Sequence, residues 1–187
     1  ITGNSIGAKL TIPQGTLFTD SSGNSWLSAR DVTWYSNVTT CKVPIVQHEK
    51  YTASALNNMV IPTGDRVIIH LGTLPNGKYY EQGSMSLQIG GETWVLVDTF
   101  AKSKPTDKHF MVSVDEALNP YIMFGDGTFG KKPAAGAKIT NVVFYLTNGT
   151  QGNVKSNTIT SVPSVISSSI TDATVSNAYD AGGGSNY

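Results

Sequence analysis

The chain has 187 residues, with 13 Lys+Arg balanced by 13 Asp+Glu and only 14% charged positions, where soluble domains carry roughly 25%. No basic excess is present to neutralise a phosphate backbone, which argues against nucleic-acid binding as the main activity. No run approaches the ~18 apolar residues of a membrane-spanning helix, and no charged start followed by an apolar stretch marks a signal peptide.

Forty positions are Ser or Thr, another 19 are Gly, and 39% are hydrophobic: a turn-rich profile that still builds a core. Apolar residues alternate with period two, and no segment carries a sustained helical stripe. Ala8-Lys9-Leu10-Thr11-Ile12 predicts a strand ending at the turn Pro13-Gln14-Gly15. Residues 41–46 predict another, with Pro44 marking an edge or a bulge because proline cannot donate to a ladder. Tyr51 to Asn58 is a place for a helical turn, and Arg66 to Leu71 reads as a strand buried on both faces. The clearest hairpin joins Ser84–Ile89 to Glu92–Val97 through Gly90-Gly91, a pair suited to the positive φ of a tight primed turn. Residues 109–114 and 138–146 complete the strong strands, with a second helical turn at Asp115 to Asn119. Beyond Asn153 Ser and Thr dominate, yet 157–162 and 170–175 still alternate and read as exposed strands. The expected class is all-β, mainly antiparallel, with at most one or two short helices.

Tyr121-Ile122-Met123-Phe124-Gly125-Asp126-Gly127-Thr128-Phe129-Gly130 is followed by Pro133, Gly136, a strand, and Asn148-Gly149-Thr150-Gln151-Gly152-Asn153-Val154. This order resembles the J-type baseplate proteins of contractile phage tails, including the larger wedge proteins around the tail hub. Three further passages resemble the same family: Gly7 to Phe18 with its "apolar-Pro-x-Gly-Thr-x-Phe" pattern, the hairpin Asp20 to Trp26, and Val43-Pro44-Ile45-Val46. Val175-Ser176-Asn177 followed by Ala181-Gly182-Gly183 resembles the "Val-x-Asn … Gly-Gly" passage near the family's acidic helix.

The resemblance implies a discontinuous outer β domain (1–50 and 149–187) with an inserted β domain (51–148) carrying the Phe-Gly-Asp-Gly turn. It implies a virion tail baseplate protein, made in the host cytoplasm, that assembles in a ring with copies of itself and other wedge proteins and helps couple baseplate rearrangement to sheath contraction. No cofactor, metal, catalytic group or small-molecule ligand is implied. The start at Ile1 without Met and the Gly-rich end read as cuts through a longer chain, leading to a missing C-terminal region.

Read as residues alone, Gly125 and Gly127 flank an aspartate whose side chain can bond nearby backbone N–H groups, so the motif, with Gly130 beyond it, reads as a structural turn. Gly149, Gly152 and Asn153 form the matching turn near the end of the chain. Asp126 also invites a calcium reading, but the twelve-residue loop with alternating acids is absent and Lys131-Lys132 would repel a cation. His48, His70 and His109 lie on separate predicted strands without metalloprotease spacing; one of them with Asp98 or Asp107 could serve a serine, though no Gly-x-Ser-x-Gly elbow occurs. The single Cys41 reads as a small buried hydrophobe. Trp26, Trp34 with Tyr35, Trp94 and the pair Tyr79-Tyr80 read as core packing or as a sugar-stacking face, the latter fitting a carbohydrate-binding tail adhesin. Tyr79-Tyr80, beside the turn dipeptide Asn76-Gly77, is the best exposed pair.

Overall fold

A computed structural model describes residues 1–3 and 9–184. The chain is all-β, and it divides into two compact units: an outer one, Ile1–Glu49 together with the described residues from Thr147 onward, and an inserted one, Lys50–Leu146. Ala8 of the first predicted strand, the Gly7-Ala8 start of the first family-like passage and the last three residues, 185–187, lie outside the described residues.

In the outer unit, β1 (Lys9–Ile12) pairs antiparallel with β4 (Val32–Tyr35), and β2 (Leu17–Thr19), β3 (Ser25–Ser28) and β5 (Ile45–Val46) form an antiparallel sheet in that order. Alternation does what period two requires. Leu10 and Ile12 stand opposite Trp34 and Val32, Phe18 stands opposite Trp26, and Ile12, Phe18, Trp26 and Trp34 are all at most 5% exposed. Cys41 lies in the same core, where burial pushes its thiol pKa up.

The two late segments predicted as exposed strands form no regular strand, and although Asn157, Thr160, Thr171, Asp172 and Thr174 are exposed, the segments' aliphatic residues are not. Each makes single bridges only, Ile159 to Asp20 and Thr174 to Thr2, and α1 (Ser164–Ser167), unanticipated, lies between them. Ile159, Ile166, Ile170 and Val175 are buried in the core. The alternation records inward-facing aliphatics, each contributing roughly 1.5–3 kcal/mol when fully buried, while side chains satisfy much of the backbone. Asn177 Oδ1 accepts the Thr158 and Ile159 N–H groups at 3.0 and 2.9 Å, and Asn177 Nδ2 donates to the Lys155 and Tyr179 carbonyls.

In the inserted unit the strands are β6 (Glu49–Thr52), β7 (Ile68–His70), β8 (Tyr79–Tyr80), β9 (Ser86–Ile89), β10 (Glu92–Leu96), β11 (His109–Val114), β12 (Pro120–Phe124) and β13 (Ile139–Thr147). They form one sheet in the order β6-β13-β9-β10-β11-β12-β7, with β8 also pairing with β13. Gly90 and Gly91, at φ +58° and +80°, close the β9–β10 hairpin as a primed turn whose twist matches its strands. β10 and β11 pair in parallel, in register Val95↔His109. The helical turn expected at 51–58 is a short 3-10 turn, Ser54–Leu56, while 115–119 is the hairpin turn between β11 and β12.

β7 corrects the expectation of a strand buried on both faces. It is an edge strand, so only Ile69 enters the core at 2% exposure, whereas Ile68 is 46% exposed and His70 also faces solvent. At the core's centre Phe124, the last residue of β12, meets the Trp94 ring edge-on at 5.3 Å and Phe110 at 6.5 Å.

Candidate functional site

β12 delivers its last residue into the core and the chain must then reverse at once, which is where the Phe-Gly-Asp-Gly sequence lies. Gly125 has no φ in the left-handed region; its constraint is space. A Cβ there would stand 2.3 Å from the Gly130 carbonyl oxygen and 2.6 Å from Gly130 Cα, so two backbones touch where a side chain would go. Gly127 and Gly130 have the other need, with φ of +93° and +83°. The Gly127 N–H donates to the Gly130 carbonyl at 3.0 Å, and Asp126 Oδ1 accepts the Thr128 and Phe129 N–H groups at 2.8 and 2.9 Å. The Phe129 and Thr128 donors hold the Asp126 carboxyl below the usual carboxylate range. Phe100 packs over Gly130, and the Lys131 N–H donates to the Asp107 carbonyl at 2.7 Å. The product is a pinned loop whose tip presents Phe129, 54% exposed.

The second motif turn sits in the outer unit, where the chain returns from the insertion. Gly149–Gly152 is a 3-10 turn with Gly149 at φ +54°. A Cβ on Gly152 would lie 2.7 Å from Gln47 Oε1, the atom that accepts the Asn148 N–H at 3.0 Å. Asn153 clasps Gly184 in both directions, accepting its N–H at 2.8 Å and donating to its carbonyl at 3.2 Å. Asn148 Nδ2 donates to Asn24 Oδ1, and Asn24 Nδ2 donates to Asp20 Oδ2 at 2.9 Å. Asp20 also accepts the Ser22 and Asn24 N–H groups and the Trp26 indole N–H. Burial opposes ionisation of Asp20, but the bonds from Asn24, Trp26 and Ser22 outweigh it and hold the carboxyl below its ordinary value.

Gln47, Asn24 and Asn177 do this work without having been singled out as site residues in the sequence. The only signal for Asn177 was its place in the "Val-x-Asn" passage; Gln47 had none.

The aromatics do not form one stacking face. Trp26, Trp34 and Trp94 are at most 5% exposed, within the cores of their units. Tyr79 and Tyr80 are not an exposed pair either, because neighbouring strand residues point to opposite sides. Tyr80 turns inward against Phe144, ring centroids 5.6 Å apart, and burial pushes its phenol pKa up. Tyr79 lines an open cleft of about 280 Å³ between residues 73–79 and 117–119.

Of the histidines, His109 is joined to a serine: Ser103 Oγ lies 2.8 Å from its Nδ1. That serine is only 7% exposed, and Asp107 directs its carboxylate to the Lys104 N–H. His70 lies against Tyr121 at 5.4 Å. Among the described residues no three His, Cys, Asp or Glu side chains gather as a metal site, and no helix is long and apolar enough to cross a membrane. Comparison with protein-family models, with curated proteins and with solved structures finds no match in any of the three.

Proposed function

We propose that this chain is a structural subunit of the baseplate of a contractile phage tail or related injection machine, working through assembly with copies of itself and with other wedge proteins. The observation that carries the reading is where the motif's glycines fall. Gly125 and Gly152, both within the passages that resemble the family, are positions where a Cβ would meet neighbouring atoms at 2.3 and 2.7 Å. At Gly125 the obstacle is backbone, so sequence likeness and steric necessity coincide there, whereas at Gly152 it is the end of the Gln47 side chain, which can move aside.

The surfaces suit an assembly role. Leu17, Leu27 and Val46 stand in register across β2, β3 and β5 on the face away from the core, with Leu17 49% and Val46 39% exposed. β7 leaves one edge of the inserted sheet free of a neighbouring strand among the described residues, a feature that accepts strands from partners. Low charge leaves few ion pairs to desolvate on contact. In such a ring the chain would contribute to the coupling between baseplate rearrangement and sheath contraction.

The test is co-expression with the other baseplate proteins of the source tail, followed by native mass spectrometry. A stoichiometric complex containing several copies supports the reading. A chain that stays monomeric beside every one of them overturns it.

A further inference from the structure

We propose that the cleft between residues 73–79 and 117–119 of the inserted unit binds a saccharide ring. The inference goes beyond the baseplate reading, does not depend on it, and develops at Tyr79 the sugar-binding alternative that the sequence also offers.

The lining combines what a sugar requires. Tyr79, Pro75 and Leu118 supply apolar surface, with the Tyr79 ring as the flat element on which the C–H face of a pyranose packs. Asn76 and Thr73 supply an amide and a hydroxyl that donate and accept, as ring hydroxyls demand, while the Asn119 amide is engaged by the Leu74 N–H and by Asp115 Oδ2 and serves the wall itself. At about 280 Å³ the space is just below the ~300–1,000 Å³ of drug-sized sites, which suits one ring rather than a long chain. No Asp or Glu lines it, so the cleft lacks the pair of carboxylates that glycoside hydrolysis uses. It is a site for holding.

The walls are fixed before any ligand arrives. Asn119 Oδ1 accepts the Leu74 N–H at 3.3 Å, tying one wall to the other. Asp115 Oδ1 accepts the Ala117 and Asn119 N–H groups at 2.9 and 2.8 Å, and the Leu118 N–H donates to the Asp115 carbonyl at 2.9 Å. Leu118 is thereby held at φ +64°, a conformation that a bulky residue rarely adopts and that persists only when its surroundings over-determine it. Opposite it, Gly77 at φ +72° and the Lys78 N–H bond to the Pro75 carbonyl close the other loop. A rigid concave site loses little freedom on binding.

The experiment applies the whole chain to an array of bacterial surface oligosaccharides, then titrates the best ligand against the 15N-labelled protein. The expected result is saturable binding, with chemical-shift changes centred on 73–79 and 117–119. Affinity should fall at least tenfold in Tyr79→Ala and at least threefold in Asn76→Ala, whose site is exposed and tolerant of change. Tyr35→Ala, an exposed tyrosine of the outer unit, should bind within twofold of the parent. Absence of saturable binding to every oligosaccharide overturns the proposal. So does parental affinity in a folded Tyr79→Ala or Asn76→Ala variant.

Discussion

Replacing Gly125 with alanine inserts one methyl group where Phe124 leaves the core and the chain turns back. The new Cβ would lie 2.3 Å from the Gly130 oxygen and 2.4 Å from its carbonyl carbon, about 1 Å inside ordinary contact at 3.4 Å. The obstacle is backbone, so no side chain can swing aside. Relief requires residues 126–130 to move, which strains or breaks the Asp126 bonds to Thr128 and Phe129 and the Gly127 bond to Gly130. Overpacking costs about 1–3 kcal/mol and a lost hydrogen bond about 0.5–1.5 kcal/mol, so mid-range overpacking with one or two of the three bonds lost comes to about 3–4 kcal/mol. For a unit of this size that lowers Tm by roughly 12–30 °C. Gly136→Ala is the control: φ there is +84° but nothing lies within 4 Å, so only the left-handed conformation is penalised, at about 1–2 kcal/mol. Urea unfolding read by hydrogen exchange in residues 107–131 measures both. A Gly125→Ala loss below about 1 kcal/mol, or no larger than that of Gly136→Ala, would refute the argument that contact rather than conformation makes this glycine necessary.

Other substitutions probe the outer unit and the loop tip. Asn177→Ala removes two accepted and two donated bonds, three of them holding 155–159 and one closing onto Tyr179, and should cost about 2–3 kcal/mol in urea unfolding, with exchange rising at Thr158 and Ile159. Asp20 has a folded pKa below its unfolded value of about 3.9, so the stability that its carboxylate contributes is present above about pH 4 and lost as pH falls through the folded pKa. Asp20→Asn should therefore lower stability at pH 7 and flatten its pH dependence below about pH 4, followed by exchange of the Trp26 indole N–H, which Asp20 accepts. Phe129→Ala leaves the Asp126 bonds in place and should change stability by less than about 0.5 kcal/mol; under the proposed assembly role, in which this exposed tip is a subunit contact, it should weaken assembly about tenfold or more, measured by native mass spectrometry.

Much of the fold was legible because local signals and tertiary packing agree. The Gly90-Gly91 hairpin needs only its own residues, and the strands on either side of it alternate as the sheet requires. The division of the chain was drawn from motif order at 50/51 and 148/149, and the compact units part at 49/50 and 146/147. Errors arose where alternation had more than one meaning. Ile159 and Val175 alternate with polar neighbours as a strand would, but the Asn177 side chain replaces a ladder partner 18 residues away from Ile159. Arg66 to Leu71 looked continuously apolar, yet its place at the sheet edge leaves Ile68 in solvent, and edge position is set by topology. The glycine turns were legible as turns, though the reason differs by residue: Gly127 serves conformation and Gly125 serves space, a distinction that only the approach of Gly130 reveals. Gln47 has no local signature because its partner, Asn148, is 101 positions away.

Cryo-electron microscopy of assembled contractile tails, the particles in which the proposed baseplate role places this chain, tests the central claim most directly. The account predicts density for both β units in a ring around the tail hub, with Phe129 or the Leu17-Leu27-Val46 face against a neighbouring subunit. Tails in which the ring is complete without this chain, or in which the chain is found only on fibres or spikes, would contradict it.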